Sequence, residues 1–198
     1  DEEYISTNIV ELSEVLKELK AGIGKEIGTV ACTSVGDMPH SLYAMFSEHF
    51  DMESAQQADP LLTQLRKIKS ADEIKVIRYA YQIAEKGMSS ALDSLKEGVS
   101  ERDVATQASY AMRQMGAEGT GIELMVSFGA ENTRPILSRP TARKLKKGDL
   151  VVITLAPRYE GYHGAIARSH VFGQEPGGEI AQALAYAKRA LEQTALTL

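Results

Sequence analysis

Residues 148–172 read GDLVVITLAPRYEGYHGAIARSHVF, and how this stretch folds decides the architecture of the chain. Leu150 to Leu155 is an unbroken apolar run apart from Thr154, rich in β-branched side chains and entered from Gly148-Asp149, so it reads as a strand. Pro157 and Gly161 then punctuate the chain, and Tyr159 to Phe172 reads as a further extended region. Side chains alternate along an extended segment, which places His163 and Ala165 on one face and Tyr162 and Arg168 on the other. Upstream, Ile122 to Phe128 reads as another strand. Gly116 to Gly121 is glycine-rich, but it follows a helical pattern and precedes a strand, the reverse of a phosphate-binding loop, so it reads as a connection.

Outward from the strands the pattern becomes helical. Ser70-Ala71-Asp72-Glu73 is a capping box that opens a long helix, with Ile74, Ile77, Tyr81, Ala84, Met88, Ala91, Leu92 and Leu95 as its apolar face and Gly98 as its stop. Ser100 caps a second helix carrying Val104, Ala108, Ala111, Met112 and Met115, which ends at Gly116. Met88, Met112, Met115 and Met125 are expected to fill a helix–sheet interface. Closer to the N-terminus, Asn8 to Leu19 reads as helix, Ile27 to Thr33 as strand, and Pro39 opens a helix through Leu42, Met45 and Phe46. The polar stretch Asp51 to Pro60 marks a boundary, giving domains at 1–60 and 61–198. Glu179 to Leu198 is Ala-rich, amphipathic and without a stop signal, which suggests a continuation beyond it. Helices and strands in separate runs indicate an α+β fold, a mostly antiparallel sheet under helices.

Composition narrows the function classes. The chain has 198 residues, 43% hydrophobic and 25% charged, an ordinary globular balance with enough apolar side chains for a core. No stretch approaches the roughly 20 apolar residues of a membrane span, and the acidic start DEEYISTNIV is unlike a signal peptide, so a cytoplasmic location is expected. The chain does not begin with Met, so anything upstream is removed or not shown. A single cysteine, Cys32, excludes an internal disulfide and a CxxC metal site. His40 and His49 are nine residues apart with no accompanying carboxylate pattern for a metal. Net charge is −5, against a nucleic-acid partner, yet Arg134 to Arg168 holds eight basic residues against Asp149 and Glu160. That local excess reads either as a solvated hairpin surface or as a groove for an anionic ligand.

Together with Arg66 to Ile74 (RKIKSADEI) and Ser127-Phe128-Gly129, the 148–168 stretch resembles the creatinase/prolidase/aminopeptidase P family of peptidases, family M24, whose fold is called pita-bread. The resemblance implies that 61–198 is the first half of that domain and 1–60 the C-terminal part of its small α/β N-terminal domain. It also implies a homodimer, and a second half outside this sequence that carries a His and two Glu ligands. Metal enzymes of the family hold two divalent ions with five side chains, two of them Asp from this half, because a bridged site needs carboxylates to neutralise two cations. In the family pattern those Asp positions correspond here to Thr154 and Ala165, and the substrate-binding His to Leu137. An alanine has no donor atom and a neutral hydroxyl is a poor bridge, so no metal and no other cofactor is expected. Creatinase works without metal, but the glutamate and His it uses fall on Ala167 and Leu137.

What remains polar on this wall is Tyr159, Tyr162, His163, Arg168 and His170. His163 is the candidate catalytic residue, against the plainer reading of a hydrogen-bonded structural imidazole. Arg134, Arg139 and Tyr162 are the candidate substrate-binding residues, the two arginines for a carboxylate. Arg168, at the family's Arg position, is expected to clamp neighbouring strands by its planar fork. The leading functional reading is a metal-independent hydrolase of a C–N bond in a small amino-acid-like molecule. The alternatives are a metal-dependent Xaa-Pro peptidase, and a catalytically inactive protein that binds peptide or protein in the same cleft.

Overall fold

The computed structural model describes residues 10–23, 30–133 and 138–197. The chain divides into two compact units, Asp1–Lys69 and Ser70–Leu198. This division falls after Lys69, where the polar stretch suggested a boundary at residue 60. Residues 59–67 are helical, and their start is tied into the first unit: Asp59 accepts from the Ser34 N–H at 2.9 Å, and the Ala58 N–H donates to the Cys32 carbonyl at 2.8 Å.

The first unit contains α1 (Leu12–Ile23), β1 (Ala31–Cys32), a single 3-10 turn, α2 (His40–Ser47), β2 (Gln56–Gln57) and α3 (Asp59–Lys67). β1 and β2 pair in parallel, Ala31 opposite Gln56, which requires the crossover that α2 occupies. Helix α1 starts later than the periodicity suggested, residues 1–9 and 24–29 lie outside the described residues, and the polar stretch hides the short β2.

In the second unit, α4 (Ala71–Asp93) and α5 (Glu101–Gln114) pack against each other and cover one side of a sheet. Both expected caps form. Ser70 accepts from the Glu73 N–H while Glu73 accepts from the Ser70 N–H, and Ser100 and Asp103 repeat the arrangement. The Ser100 hydroxyl, then its N–H, hold the Asp103 carboxyl below the ordinary carboxylate range.

The strands are β3 (Gly119–Thr120), β4 (Met125–Phe128), β5 (Leu150–Leu155), β6 (Pro157–Tyr159), β7 (Tyr162–His163) and β8 (Ile166–Val171), with a one-turn helix α6 (Gly129–Asn132) after β4. They form two antiparallel sheets, β4-β5-β8 and β3-β6-β7. The glycine-rich connection thus contributes a strand of its own. The region from Tyr159 to Phe172 is not one strand but two plus the turn. Even so, the register does not change between the sheets. Leu155 pairs with Ile166, the Gly164 N–H donates to the Pro157 carbonyl at 3.2 Å, and Arg158 pairs with His163. β5–β6 and β7–β8 are therefore one long hairpin, bent where Ala156 stands opposite Ala165. Its tip is a two-residue loop with positive φ at both Glu160 (48°) and Gly161 (77°), the turn whose twist suits a hairpin. The Glu118 carboxylate steadies the tip, accepting from the Glu160 N–H at 2.8 Å and from Arg158 at 3.2 Å.

The core lies between helices and sheet. Val126, Phe128, Val151, Ile153 and Leu155 are fully buried against Ile83, Ala84, Met88, Val104, Ala108 and Met112. Each large apolar side chain buried in this way contributes about 1.5–3 kcal/mol. The buried face of α4 matches the expected one in part: Ala84, Met88 and Ala91 are inside as expected, joined by Ala80, Ile83 and Gly87, while Ile74, Tyr81 and Leu92 are 37–42% exposed. Close packing is the cause, since the hairpin bend presses onto the helix backbone. A side chain at Gly164 would overlap the Ala80 carbonyl and the Tyr81 N–H, so small residues line the contact. Met125 also departs from expectation, because it pairs with Thr154 and lies on the sheet face away from the helices. The terminal helix α7 (Gly178–Thr197) has no buried residue, and Tyr186 and Leu191 are 63% and 70% exposed.

Candidate functional site

Directly paired residues of an antiparallel sheet share a face. Val151, Ile153 and Leu155 meet the helices, so their partners His170, Arg168 and Ile166 are on the helix side. The opposite, open face then carries Thr154 with Ala167 on one side and Met125 on the other, followed by Ala156 with Ala165, and Arg158 with His163. Thr154 is half-buried, and Ala165 and Ala167 are exposed. Thr154 and Ala165 are diagonal neighbours on paired strands, a separation of about 7–8 Å. The hairpin thus keeps the geometry in which two carboxylates would share a site, and supplies no carboxylate. Among the described residues no group of three or more His, Cys, Asp or Glu could hold a metal ion. The donor set on this face does not fit a divalent metal.

His163 is exposed, and its imidazole reaches across β6. A side chain begun at Gly121 would come within 2.5 Å of its Cδ2 and 2.8 Å of its Nε2. The ring therefore lies on the open face over Gly121, whose N–H donates to the Ala156 carbonyl at 2.8 Å. Of the polar candidates it is the one that shares a face with Thr154 and Ala165.

Tyr162 does not belong to that face. It points to the helix side, where its hydroxyl donates to Glu73 Oε1 at 2.6 Å, while Glu73 Oε2 accepts from the Ser70 N–H at 2.6 Å. The neighbouring Tyr159 stacks edge-on against Tyr79 of α4, with ring centroids 4.7 Å apart. Both tyrosines fasten the hairpin tip to α4, and the hydroxyl expected to contact substrate is engaged with Glu73 in this structure. Arg168 donates from Nη1 to the Ala167 carbonyl at 2.8 Å, bracing its own strand rather than a neighbour. His170, half-buried on the helix side, has its pKa lowered by desolvation, so it favours the neutral form.

Arg134 and Leu137 lie outside the described residues. Arg139 is described: it pairs through Nε with Glu123 at 2.9 Å and lines, with Ile122, Glu123, Met125 and Ser138, a cavity of about 290 Å³. Met125 brings this cavity to the open face. Of the other basic residues of the stretch, Arg143 pairs with Asp149, Lys144 with Asp103 and Arg158 with Glu118.

One buried carboxylate escaped the sequence reading. Glu101, the first residue of α5, is fully buried, and its oxygens accept from the N–H groups of Phe128 and Thr141, from Asn132 Nδ2 and from the Thr141 hydroxyl, at 2.6–3.1 Å. An acidic residue in a first helical turn reads as a favourable partner of the helix dipole and nothing more. Nothing in the local pattern distinguishes it.

Residues 75–197 match the profile of metallopeptidase family M24. The Xaa-Pro dipeptidase of Pyrococcus furiosus is 32% identical over 160 residues, 79% of this chain and 46% of that protein. Among solved structures, the prolidase of Pyrococcus horikoshii superposes with a TM-score of 0.74 at 27% identity, covering 86% of this chain and 47% of that one. The X-Pro aminopeptidase of Thermotoga maritima gives 0.73 at 26% identity, covering 85% and 46%. This chain thus spans about half the length of the proteins it matches.

Proposed function

Because the chain belongs to metallopeptidase family M24, a pita-bread fold of which it forms an α+β half, we propose that it builds one wall of a cleft that hydrolyses Xaa-Pro peptides. The observation that carries this reading is the open face itself. The hairpin register sets Met125, Thr154, Ala165 and His163 on one accessible surface beside the Arg139 cavity, in a chain whose relatives are Xaa-Pro dipeptidases. Those relatives favour a prolyl peptide as substrate over the small amino-acid-like molecule that the sequence suggested first, and a metal-dependent peptidase over a metal-independent C–N hydrolase.

In this reading Ile122 and Met125 offer the apolar surface that a proline ring requires. Arg139 exchanges Glu123 for the carboxylate of a peptide, since its guanidinium is accessible and suited to a planar anion. His163, on the same face as Thr154 and Ala165, is the candidate proton-transfer residue of this wall. Thr154 and Ala165 do not fit a bridged pair of divalent ions, so no step is derived through metal, and carboxylate ligands would have to come from residues beyond this chain. The same two positions favour a second reading, in which the cleft binds prolyl peptides without cleaving them. Assembly as a homodimer and a cytoplasmic location are part of the proposal. No helix among the described residues is long and apolar enough to cross a membrane.

The test is turnover of a panel of Xaa-Pro dipeptides by the full-length protein, with Xaa-Ala dipeptides as controls, each with manganese or cobalt and with chelator. Proline-selective hydrolysis is expected. Hydrolysis without proline selectivity refutes the substrate reading, and calorimetric binding of the same peptides with no turnover replaces the hydrolase by the binding module.

A further inference from the structure

We propose that Glu101 is a positioning residue for the cavity beside β4, an inference that rests on the Xaa-Pro reading above. Its carboxylate sets where Ser138 and Arg139 stand relative to Ile122 and Met125, without itself reaching the substrate.

A fully buried carboxylate is costly unless every lone pair is used, and an apolar side chain would fill the same space more cheaply. Glu101 has what compensates it: neutral donors on both oxygens and the N-terminal end of α5 behind it. The arrangement is divided in a telling way. Oε1 accepts from the Phe128 N–H at 2.7 Å and from Asn132 Nδ2 at 2.9 Å, at the end of β4 and in α6. Oε2 accepts from the Thr141 N–H at 2.8 Å and the Thr141 hydroxyl at 2.6 Å, two residues beyond Arg139. Asn132 also reaches Oε2 at 3.1 Å and Thr141 Oγ1 at 3.2 Å, closing the ring. The same helix end holds the approach to Thr141, since the Arg102 N–H donates to the Thr141 carbonyl at 3.2 Å and Arg102 Nε to the Pro140 carbonyl at 3.4 Å.

Two chain segments therefore meet at one carboxylate. One leads back along β4 to Met125, and the other leads back to Arg139 and Ser138, and these residues share the 290 Å³ cavity. An apolar residue at 101 could pack between the segments but could not fix their separation, because dispersion has no direction and hydrogen bonds do. The width of the cavity and the distance of the Arg139 guanidinium from its apolar floor are thus set from behind, by a group buried under the helices.

The experiment compares wild-type full-length protein with Glu101→Gln, Asn132→Ala and Val104→Ala. Gln keeps the shape of Glu but turns an NH2 toward N–H donors, and Asn132→Ala removes one bridging side chain while leaving the carboxylate. Val104, fully buried on the same helix, controls for general loosening of the core. Hydrogen exchange is read over 138–142 against α4 and β5, and steady-state kinetics on alanyl-proline. Glu101→Gln and Asn132→Ala are expected to speed exchange at 138–142 about tenfold or more with α4 and β5 unchanged. They should raise KM about tenfold with kcat within about twofold, whereas Val104→Ala does neither. Unchanged exchange at 138–142 in Glu101→Gln, or an equal rise of KM in Val104→Ala, overturns the inference. If Glu101→Gln does not fold, Asn132→Ala decides by the same criteria. If the protein cleaves no Xaa-Pro peptide at all, the functional reading falls, while exchange at 138–142 still decides the role of Glu101.

Discussion

Replacing Tyr162 by Phe separates a substrate contact from a structural tie, because the only atom removed is the hydroxyl that donates to Glu73 Oε1 at 2.6 Å. A hydrogen bond to a charged acceptor is worth about 1.5–3 kcal/mol net. Tyr162 is half-buried and Glu73 caps the solvent-facing end of α4, so the lower end of that range, about 1.5 kcal/mol, is expected. For a chain of this size that corresponds to a fall in Tm of about 3–6 °C. The ring stays, so its packing is preserved and no cavity opens. Glu73→Gln alone also weakens the capping box, and a double-mutant cycle removes that contribution, leaving a Tyr162–Glu73 coupling of about 1 kcal/mol. The assay is urea unfolding of the four proteins, with KM for alanyl-proline measured alongside. Unaltered stability in Tyr162→Phe combined with a large rise in KM would refute the assignment and return Tyr162 to the substrate. A loss of stability with KM unchanged is the outcome the geometry requires.

Two further outcomes follow from the faces of the sheet. His170 has a folded pKa lowered from 6.5 by desolvation, so the unfolded chain takes up its proton first. Its contribution to stability is complete above the unfolded value, declines as pH falls below 6.5, and is gone once pH has passed the folded value. Urea midpoints measured across that window should lose part of their acid-side slope in His170→Asn, and an identical slope in the variant would contradict the burial. Thr154→Asp with Ala165→Asp places two carboxylates on the open face without touching the core, and their repulsion and the poor strand propensity of Asp should lower stability without metal by about 1–2 kcal/mol. Manganese should then raise the Tm of the double variant by more than that of the wild type, by the linkage of binding to folding. A wild-type Tm that rises equally with manganese would show that Thr154 and Ala165 do not abolish the site.

The features legible in the sequence were those carried by local chemistry. Ser70 with Glu73, and Ser100, announce helix starts because a cap needs particular atoms at a fixed offset, and both caps form. Thr154 and Ala165 are singled out by the resemblance to the family pattern, and the strand pairing puts both on the open face. What was not legible depended on the packing of one element against another. The face of α4 is legible only in part, through Ala84, Met88 and Ala91, because bulky residues such as Tyr81 and Leu92 weigh more in a periodicity than Ala80 or Gly87, although close approach of the hairpin at Gly164 selects the small ones. Alternation separates Tyr162 from His163, as the strand pairing shows, but the bond from the Tyr162 hydroxyl to Glu73 spans 89 residues and has no local signal. Glu101 was invisible because its partners, Phe128, Asn132 and Thr141, are 27 to 40 residues away.

The bent hairpin also has a consequence for descent. Residues that specify the fold, Val151, Ile153 and Leu155, and the two positions the family resemblance singles out, Thr154 and Ala165, belong to one hairpin but never share a side. A lineage can therefore exchange one chemistry for another here without crossing an unstable intermediate, since neither open-face position helps to hold the sheet to its helices.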